Sequence, residues 1–233
     1  MTMKTHKAWL LRLLLWASIA LTAGAACAAP SATLEQRLQL FRDGTLRGFG
    51  LAELPDNGRE VYTEADFQDL AATGANLVRV AIQLRKCPGC DHYEMPEADM
   101  RYVERILGRG ERYGFRVVVV LLAAPWGNQS DYWDNDKLKA DIVRKWGQLA
   151  QRLKSYPALQ AYDLINEPVV PKAMPGRSAQ AKWNELAEAI ARELRVADPD
   201  TPLVIEPTPW GLPSSFWRTE PLGLPGVVYS FHF

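Results

Sequence analysis

The sequence predicts an α/β fold with a parallel sheet, and within that class a (β/α)8 TIM barrel with about the first six βα units present. Two observations predict the class: short β-rich segments alternate with helical ones, and one strand is apolar on both faces. That alternation also fits an open doubly wound sheet. An open sheet that binds a dinucleotide would carry a G-x-G-x-x-G turn after its first strand, and GFGLAELPDNG lacks that spacing. The barrel is therefore favoured.

Six strands are predicted from short apolar segments. The third, RVVVVLLAA, is the clearest, because an uninterrupted apolar run of this length is typical of a buried parallel strand. In chain order the segments are 46–52, 76–82, 116–124, 159–165, 202–206 and 226–231. Because the strands are mostly separated by helices, they are expected to run parallel.

Four helices are predicted between these strands. Thr63 and Asp66 resemble a capping box for a helix that ends at Gly74, and Pro96 begins a second helix that closes near Gly114. The third helix has one apolar stripe at three- and four-residue spacing, which we assign to core packing. That stripe consists of Leu138, Ile142, Val143, Trp146, Leu149, Ala150 and Leu153. The fourth helix is marked by Trp183, Leu186, Ile190 and Leu194.

The N-terminus is predicted to be a secretory signal peptide, residues 1–28. Three basic residues precede the apolar run 13–23, which leads into small residues ending Ala26-Cys27-Ala28. The alternative of a membrane anchor is disfavoured because the apolar run is too short to span a bilayer comfortably. We therefore expect a secreted or periplasmic protein without a stable membrane anchor, in which residues 29–233 form a single, partial catalytic domain.

The charge balance argues against a nucleic-acid partner. Lys and Arg together number 27, as do Asp and Glu, so the sequence carries no basic excess to pair with phosphates. A neutral protein of this kind is compatible with an uncharged ligand such as a sugar.

Two cysteines would remain after signal cleavage, in the segment Cys87-Pro-Gly-Cys90. An oxidising compartment favours a disulfide that closes this small turn. A thioredoxin-like redox pair is disfavoured because its first cysteine would begin a helix, whereas Pro88 and Gly89 form a turn here. A metal site is no better supported, since His92 and His232 are the only mature histidines.

Polar and aromatic side chains follow the predicted strands at the end where a barrel carries its chemistry. Taken in chain order they are Arg79, Trp126, Asn166, Glu167, Trp210 and His232. Tryptophan faces suit the apolar faces of sugar rings, and planar polar groups suit sugar hydroxyls. The set predicts an oligo- or polysaccharide substrate.

The motifs at these strand ends resemble those of a known family. Asn166-Glu167-Pro168 is similar to the acid/base motif of the retaining glycoside hydrolases of clan A. Together with NLVRVAI, which carries Arg79, and the closing SFHF, which carries His232, it makes the chain resemble glycoside hydrolase family 5, the cellulase-like family. The resemblance extends over nearly the whole mature chain.

The resemblance implies a secreted enzyme that cleaves β-linked glycans by double displacement and needs no cofactor. Glu167 would be the acid and later the base, and Asn166 would hold the substrate's 2-hydroxyl. Arg79 and His232 would orient the nucleophile and the sugar. Each has a plainer alternative: Arg79 could neutralise an acidic core group, His232 could be a core histidine, and the rim tryptophans could cap the barrel.

The expected nucleophile departs from the family pattern. The family takes it from a glutamate ending the seventh barrel strand, and Phe233 falls at the sixth, so we expect a fragment whose nucleophile lies beyond this chain. Glu206, on the predicted fifth strand, is a weak substitute. The sequence also reads Ala123-Ala124-Pro125-Trp126 after the third strand, where many family members have a histidine. The alternative function is a truncated, non-catalytic carbohydrate-binding protein.

Overall fold

Six parallel strands form the main sheet of the computed structural model, in the same order in space as in sequence. The structure describes residues 32–51, 60–86, 92–122, 133–171 and 178–233. In chain order the strands are β1 (Gly48–Leu51), β2 (Leu77–Gln83), β3 (Arg85–Lys86), β4 (Tyr93–Glu94), β5 (Arg116–Leu122), β6 (Leu159–Asp163), β7 (Leu203–Ile205) and β8 (Val227–Tyr229). The main sheet has the order β1-β2-β5-β6-β7-β8, and β3 pairs with β4 in a separate antiparallel ribbon.

This strand order confirms the predicted barrel class. A doubly wound sheet reverses its strand order at a switch point, whereas here each strand lies beside its predecessor throughout the main sheet. The six predicted strands correspond to β1, β2, β5, β6, β7 and β8. The structure therefore shows a partial (β/α)8 barrel.

Five α-helices and one 3₁₀ helix accompany these strands in the described ranges. They are α1 (Leu34–Arg42), α2 (Glu64–Ala72), α3 (Glu97–Tyr113), α4 (Asp136–Leu153), α5 (Ala179–Ala197) and the 3₁₀ helix Pro213–Arg218. The four predicted helices are confirmed as α2 to α5. Thr63 and Asp66 form the predicted capping box, and Gly114 ends α3 in the left-handed conformation with φ 78°.

The sheet has a helix-covered face and an inner face. Alternate residues of β2, such as Val78 and Val80, are buried toward the helices. On the inner face a second apolar cluster contains Val118, Ala161 and Val204 from three neighbouring strands. Because side chains alternate along a strand, residues two positions further on point to the same side. Asp163 and Glu206 therefore follow Ala161 and Val204 toward the carboxyl end of the sheet.

Helix α1 covers the opposite, amino end of the strands. Phe41 packs against the inner apolar cluster, and the buried Arg37 donates to the hydroxyl of Thr201, just before β7. Gln160, near the start of β6, donates to the carbonyl of Arg37 at 2.8 Å. The sequence did not predict this helix, which closes one end of the inner face with apolar and buried polar contacts.

Two buried tryptophans fix the carboxyl ends of β6 and β7. The indole of Trp146 on α4 donates to the carbonyl of Leu164 at 3.0 Å, and that of Trp183 on α5 donates to the carbonyl of Glu206 at 2.8 Å. Both carbonyls lie just after their strands, where the sheet ladder no longer satisfies them. The helices therefore hold the strand ends from which polar side chains project.

None of the helices in the described ranges has the length and apolarity needed to cross a bilayer. The predicted signal peptide, residues 1–28, lies outside those ranges.

Candidate active site

Four strands bring a cluster of charged side chains together toward the carboxyl edge of the sheet. Arg79 projects from β2, Asp163 ends β6, Glu206 directly follows β7, and His232 follows β8. Glu167 lies four residues beyond the end of β6. Because carboxyl ends of parallel strands meet at one edge, residues distant in sequence become neighbours there.

Arg79 is the centre of this cluster. Its Nε and Nη2 contact Oδ2 of Asp163 at 2.8 and 2.7 Å, and Nη2 also donates to Oε1 of Glu206 at 2.8 Å. A further bond of 3.0 Å runs from Nη2 to Oδ1 of Asn166. The guanidinium therefore neutralises buried acid, as the plainer sequence interpretation proposed, and at the same time orients the amide of Asn166.

Glu167 and His232 contact one another. The imidazole Nδ1 of His232 lies 2.8 Å from Oε1 of Glu167, and the two side chains are 29% and 28% exposed. Glu167 has φ 46°, in the left-handed region that residues other than glycine seldom adopt. Its backbone N–H donates to Oε2 of Glu206 at 2.7 Å, which holds the chain in this turn. The carboxylate of Glu167 is thus partly accessible and firmly placed.

Glu206 is fully buried beneath this pair. Its Oε1 lies 3.1 Å from Nε2 of His232 and accepts from Arg79, while Oε2 accepts the Glu167 N–H. Burial raises the pKa of Glu206 to about 8, and the negative charge of Asp163 acts in the same direction while Arg79 opposes it. Burial also raises the pKa of Asp163, against the opposing charge of Arg79.

The loops that follow β6, β7 and β8 are joined by backbone hydrogen bonds. The N–H of Trp210 donates to the carbonyl of Pro168 at 3.3 Å, and the N–H of His232 donates to the carbonyl of Gly211 at 2.9 Å. Trp210 has φ 60° and is 49% exposed. Its indole therefore stands at the rim beside the Glu167 loop, available to solvent.

The structure brings four of the six predicted site residues into one contact network: Arg79, Asn166, Glu167 and His232. Trp210 lies beside that network through its backbone. Trp126 lies outside the described residues, as does the predicted disulfide pair, Cys87 and Cys90. Their proposed roles remain predictions.

The sequence reasoning missed Asp163 and considered Glu206 only as a possible nucleophile. A signal for Asp163 was present, because a carboxylate within an otherwise apolar strand requires a buried partner. In the part of the chain that the structure describes, no group of three His, Cys, Asp or Glu side chains could hold a metal ion.

Comparison with protein families gives a match over most of the chain. The family model described as cellulase (glycosyl hydrolase family 5) matches residues 42–233. A probable glucan 1,3-beta-glucosidase A of Aspergillus terreus is 30% identical over an alignment of 170 residues, and the match covers 64% of this chain and 38% of the fungal protein. The protein of the same description from Neosartorya fischeri is 23% identical over 193 residues and is covered to 45% of its length.

Comparison with solved structures supports the fold. Thermotoga maritima Cel5A in complex with cellobiose superposes with a TM-score of 0.68 at 20% identity, over 87% of this chain and 62% of that one. At this identity the likeness concerns the fold alone. The chain spans less than half the length of the two fungal relatives described above and less than two thirds of the bacterial structure.

Proposed function

The chain belongs to glycosyl hydrolase family 5, and we propose that it hydrolyses the glycosidic bonds of a β-linked glucan, with Glu167 as acid and then base. The observation that carries this proposal is the position of Glu167. Its partly exposed carboxylate stands at the carboxyl edge of a parallel sheet, in contact with His232 and beside Arg79 and Asn166. Barrel enzymes carry their catalytic groups at this edge.

The proposed reaction is a double displacement with retention. Glu167 protonates the leaving oxygen, a second carboxylate forms a glycosyl-enzyme, and Glu167 then takes a proton from the attacking water. Asn166, oriented by Arg79, would bind the hydroxyl beside the anomeric carbon. Trp210, and Trp126 by its position after the third predicted strand, would contact the faces of sugar rings.

The nucleophile of this proposal is neither Asp163 nor Glu206. Both are buried, and the oxygens of Glu206 face Arg79, His232 and the Glu167 N–H rather than solvent. The family resemblance implies a different glutamate as the nucleophile.

The substrate class follows from the relatives. The fungal proteins are described as glucan 1,3-beta-glucosidases, and the Thermotoga maritima structure holds cellobiose. Both descriptions concern β-linked glucose, so we propose a β-glucan for this protein too. Export through cleavage of residues 1–28 also belongs to this proposal, and N-terminal sequencing of the mature protein would test it.

The test is sugar release by the whole natural gene product from laminarin and from carboxymethyl-cellulose. Glu167→Gln should lower kcat by at least about 10²-fold, because general acid catalysis contributes 10² to 10⁴. Glu188→Gln, on the exposed surface of α5, is the matched control and should leave kcat unchanged. Proton NMR of the first product should show the β-anomer, as retention requires.

Two outcomes would contradict the proposal. Full activity of the Glu167→Gln variant would remove Glu167 from the reaction. Binding of oligosaccharide by calorimetry without any sugar release by the wild type would instead indicate the non-catalytic carbohydrate-binding protein considered above.

A further inference from the structure

His232 lies between two carboxyl groups. One ring nitrogen, Nδ1, is 2.8 Å from Oε1 of Glu167, and the other, Nε2, is 3.1 Å from Oε1 of Glu206. A neutral imidazole carries one proton, so it can donate to one of these oxygens only. For both contacts to be hydrogen bonds with a neutral ring, the other nitrogen must accept a proton from a protonated carboxyl group. The alternative is that both protons are on the ring, which is then an imidazolium between two carboxylates.

The surrounding charges favour a protonated Glu206. Arg79 is the cation that contacts both Asp163 and Glu206, and it contacts Asp163 through two of its nitrogens. The single positive charge of Arg79 can neutralise only one of these two buried carboxylates. The second is favoured to hold a proton, and the pKa of Glu206, raised to about 8 by burial, agrees with this assignment.

We propose that Glu206, His232 and Glu167 form a proton relay, in which a proton stored on the buried Glu206 reaches the acid/base Glu167 through the imidazole ring. This proposal rests on the proposed function, because it assumes that Glu167 is the group that protonates the leaving oxygen. It gives Glu206 a role in the reaction without contact to the substrate.

The transfer balances within the three side chains. The O–H bond at Oε1 of Glu206 breaks as an N–H bond forms at Nε2, and the Nδ1–H bond breaks as an O–H bond forms at Oε1 of Glu167. One negative charge moves from Glu167 to Glu206, and the total charge of the three groups is unchanged. The new carboxylate of Glu206 faces Nη2 of Arg79 at 2.8 Å, which stabilises it.

The geometry of the relay is fixed from several sides. Glu206 is fully buried, its Oε2 accepts the backbone N–H of Glu167 at 2.7 Å, and its carbonyl accepts from Trp183. The charged groups that face it are Arg79 from β2, Asp163 from β6, Glu167 and His232. Asp163, the other buried carboxyl group, already accepts from two nitrogens of Arg79, which favours its ionised form.

The test is the titration of the His232 ring nitrogens by NMR in histidine labelled with ¹⁵N, without substrate. The chain has three histidines, and a His92→Gln variant separates the His92 signal from that of His232. Glu206→Gln keeps an oxygen for the Glu167 N–H but cannot transfer a proton. In the wild type the His232 titration should be broadened or two-step, because its proton is shared with Glu206, and in Glu206→Gln it should become a single step.

The matched control is Glu94→Gln, which removes a single exposed carboxylate 3.2 Å from Nε2 of His92. Solvent screens that pair, so Glu94→Gln should leave the shape of the His92 titration unchanged. A His232 titration of the same shape in the wild type and in Glu206→Gln would overturn the relay. If that variant fails to fold, the wild type decides: a shared proton predicts a broadened or two-step His232 titration, and a simple one-step curve would contradict it.

Activity provides an independent measurement. In the whole enzyme, Glu206→Gln should move the basic limb of the kcat/KM pH profile to lower pH, with KM changed less than about twofold, because the proton reserve for Glu167 is lost. A profile of unchanged shape would contradict the relay. If Glu206→Gln reduces the His232 titration to a single step and the wild type releases no sugar, the proton sharing stands and the proposed hydrolase function fails.

Discussion

At the scale of single residues, the candidate site depends on the shape of one side chain. Arg79 reaches Asp163, Asn166 and Glu206 through a planar guanidinium whose donors are fixed relative to each other. An ammonium group is a single point charge at the end of a flexible chain and cannot keep all three contacts. Arginine is therefore required here for geometry as well as for charge.

We predict that Arg79→Lys lowers the free energy of unfolding by about 2 kcal/mol or more, because it leaves buried carboxyl groups incompletely paired. In the whole enzyme kcat/KM should fall at least about tenfold as Asn166 loses its orientation. Urea titration and initial rates measure the two effects. Arg42→Lys is the control: Arg42 pairs with Glu35 in solvent, and its replacement should leave the free energy of unfolding nearly unchanged. Equal effects at both positions would contradict this account.

The sequence predicted the exposed residues that follow a strand better than the buried carboxyl groups with which they are in contact. Asn166 and Glu167 were found because an amide and a carboxylate directly after an apolar segment are conspicuous. The contacts of Asp163 and Glu206 were not predicted, because they depend on the register of β6 and β7 against β2. That register is set by packing between distant segments, which local patterns do not contain.

At the scale of elements, α4 and α5 do more than cover the sheet. Each contributes a buried indole to a carbonyl at the end of a strand, so helix packing and strand-end geometry are coupled. The apolar spacing assigned Trp146 to core packing and used Trp183 to mark a helix, and both side chains are buried in the structure. Their hydrogen bonds could not be predicted, since a spacing pattern carries no information on where an indole N–H points.

Trp183→Phe tests this coupling. The variant keeps an aromatic ring but leaves the buried carbonyl of Glu206 without its donor, and we expect a loss of about 2–4 kcal/mol in the free energy of unfolding. Trp217→Phe, at a site that is 75% exposed, should change it by less than about 0.5 kcal/mol. Chemical denaturation followed by circular dichroism measures both. A cost for Trp183→Phe as small as that of the control would show that the bond contributes little.

Helix α1 was not proposed by the sequence reasoning, and neither were the β3–β4 ribbon and the 3₁₀ helix. Helix α1 is short and carries charged and polar residues along most of its length, so its apolar pattern is weak. Its stability comes from a capping box at Thr33 and from tertiary contacts through Arg37 and Phe41. Such contacts override a weak local signal.

At the scale of the whole molecule, the two ends of the main sheet differ in the groups that they bury. Helix α1 and the inner apolar cluster close the amino end of the strands, while the carboxyl end buries Asp163 and Glu206 against Arg79. Buried carboxyl groups cost stability when ionised, so the arrangement places an electrostatic cost where the reaction is proposed to occur.

The cost of ionising the buried Glu206 predicts how the free energy of unfolding depends on pH. The pKa of Glu206 is raised from 4.5 to about 8 in the folded protein, so between these values the folded state binds more protons than the unfolded state. The contribution of this group to the free energy of unfolding therefore decreases as the pH rises from about 4.5 to 8, on the order of a few kcal/mol in total. Carboxylates with lowered pKa, among them Glu97 and Asp66, act in the opposite direction at lower pH.

The comparison of wild type with Glu206→Gln isolates the contribution of Glu206, because the other carboxylates are common to both. We expect the wild type to lose stability relative to the variant as the pH is raised from 5 to 8, measured by urea titration at each pH. Glu188→Gln, which changes an exposed carboxylate on α5, should give a curve parallel to the wild type. If the Glu206→Gln curve is also parallel, Glu206 is ionised throughout this range, and it cannot then be the proton store that the relay requires.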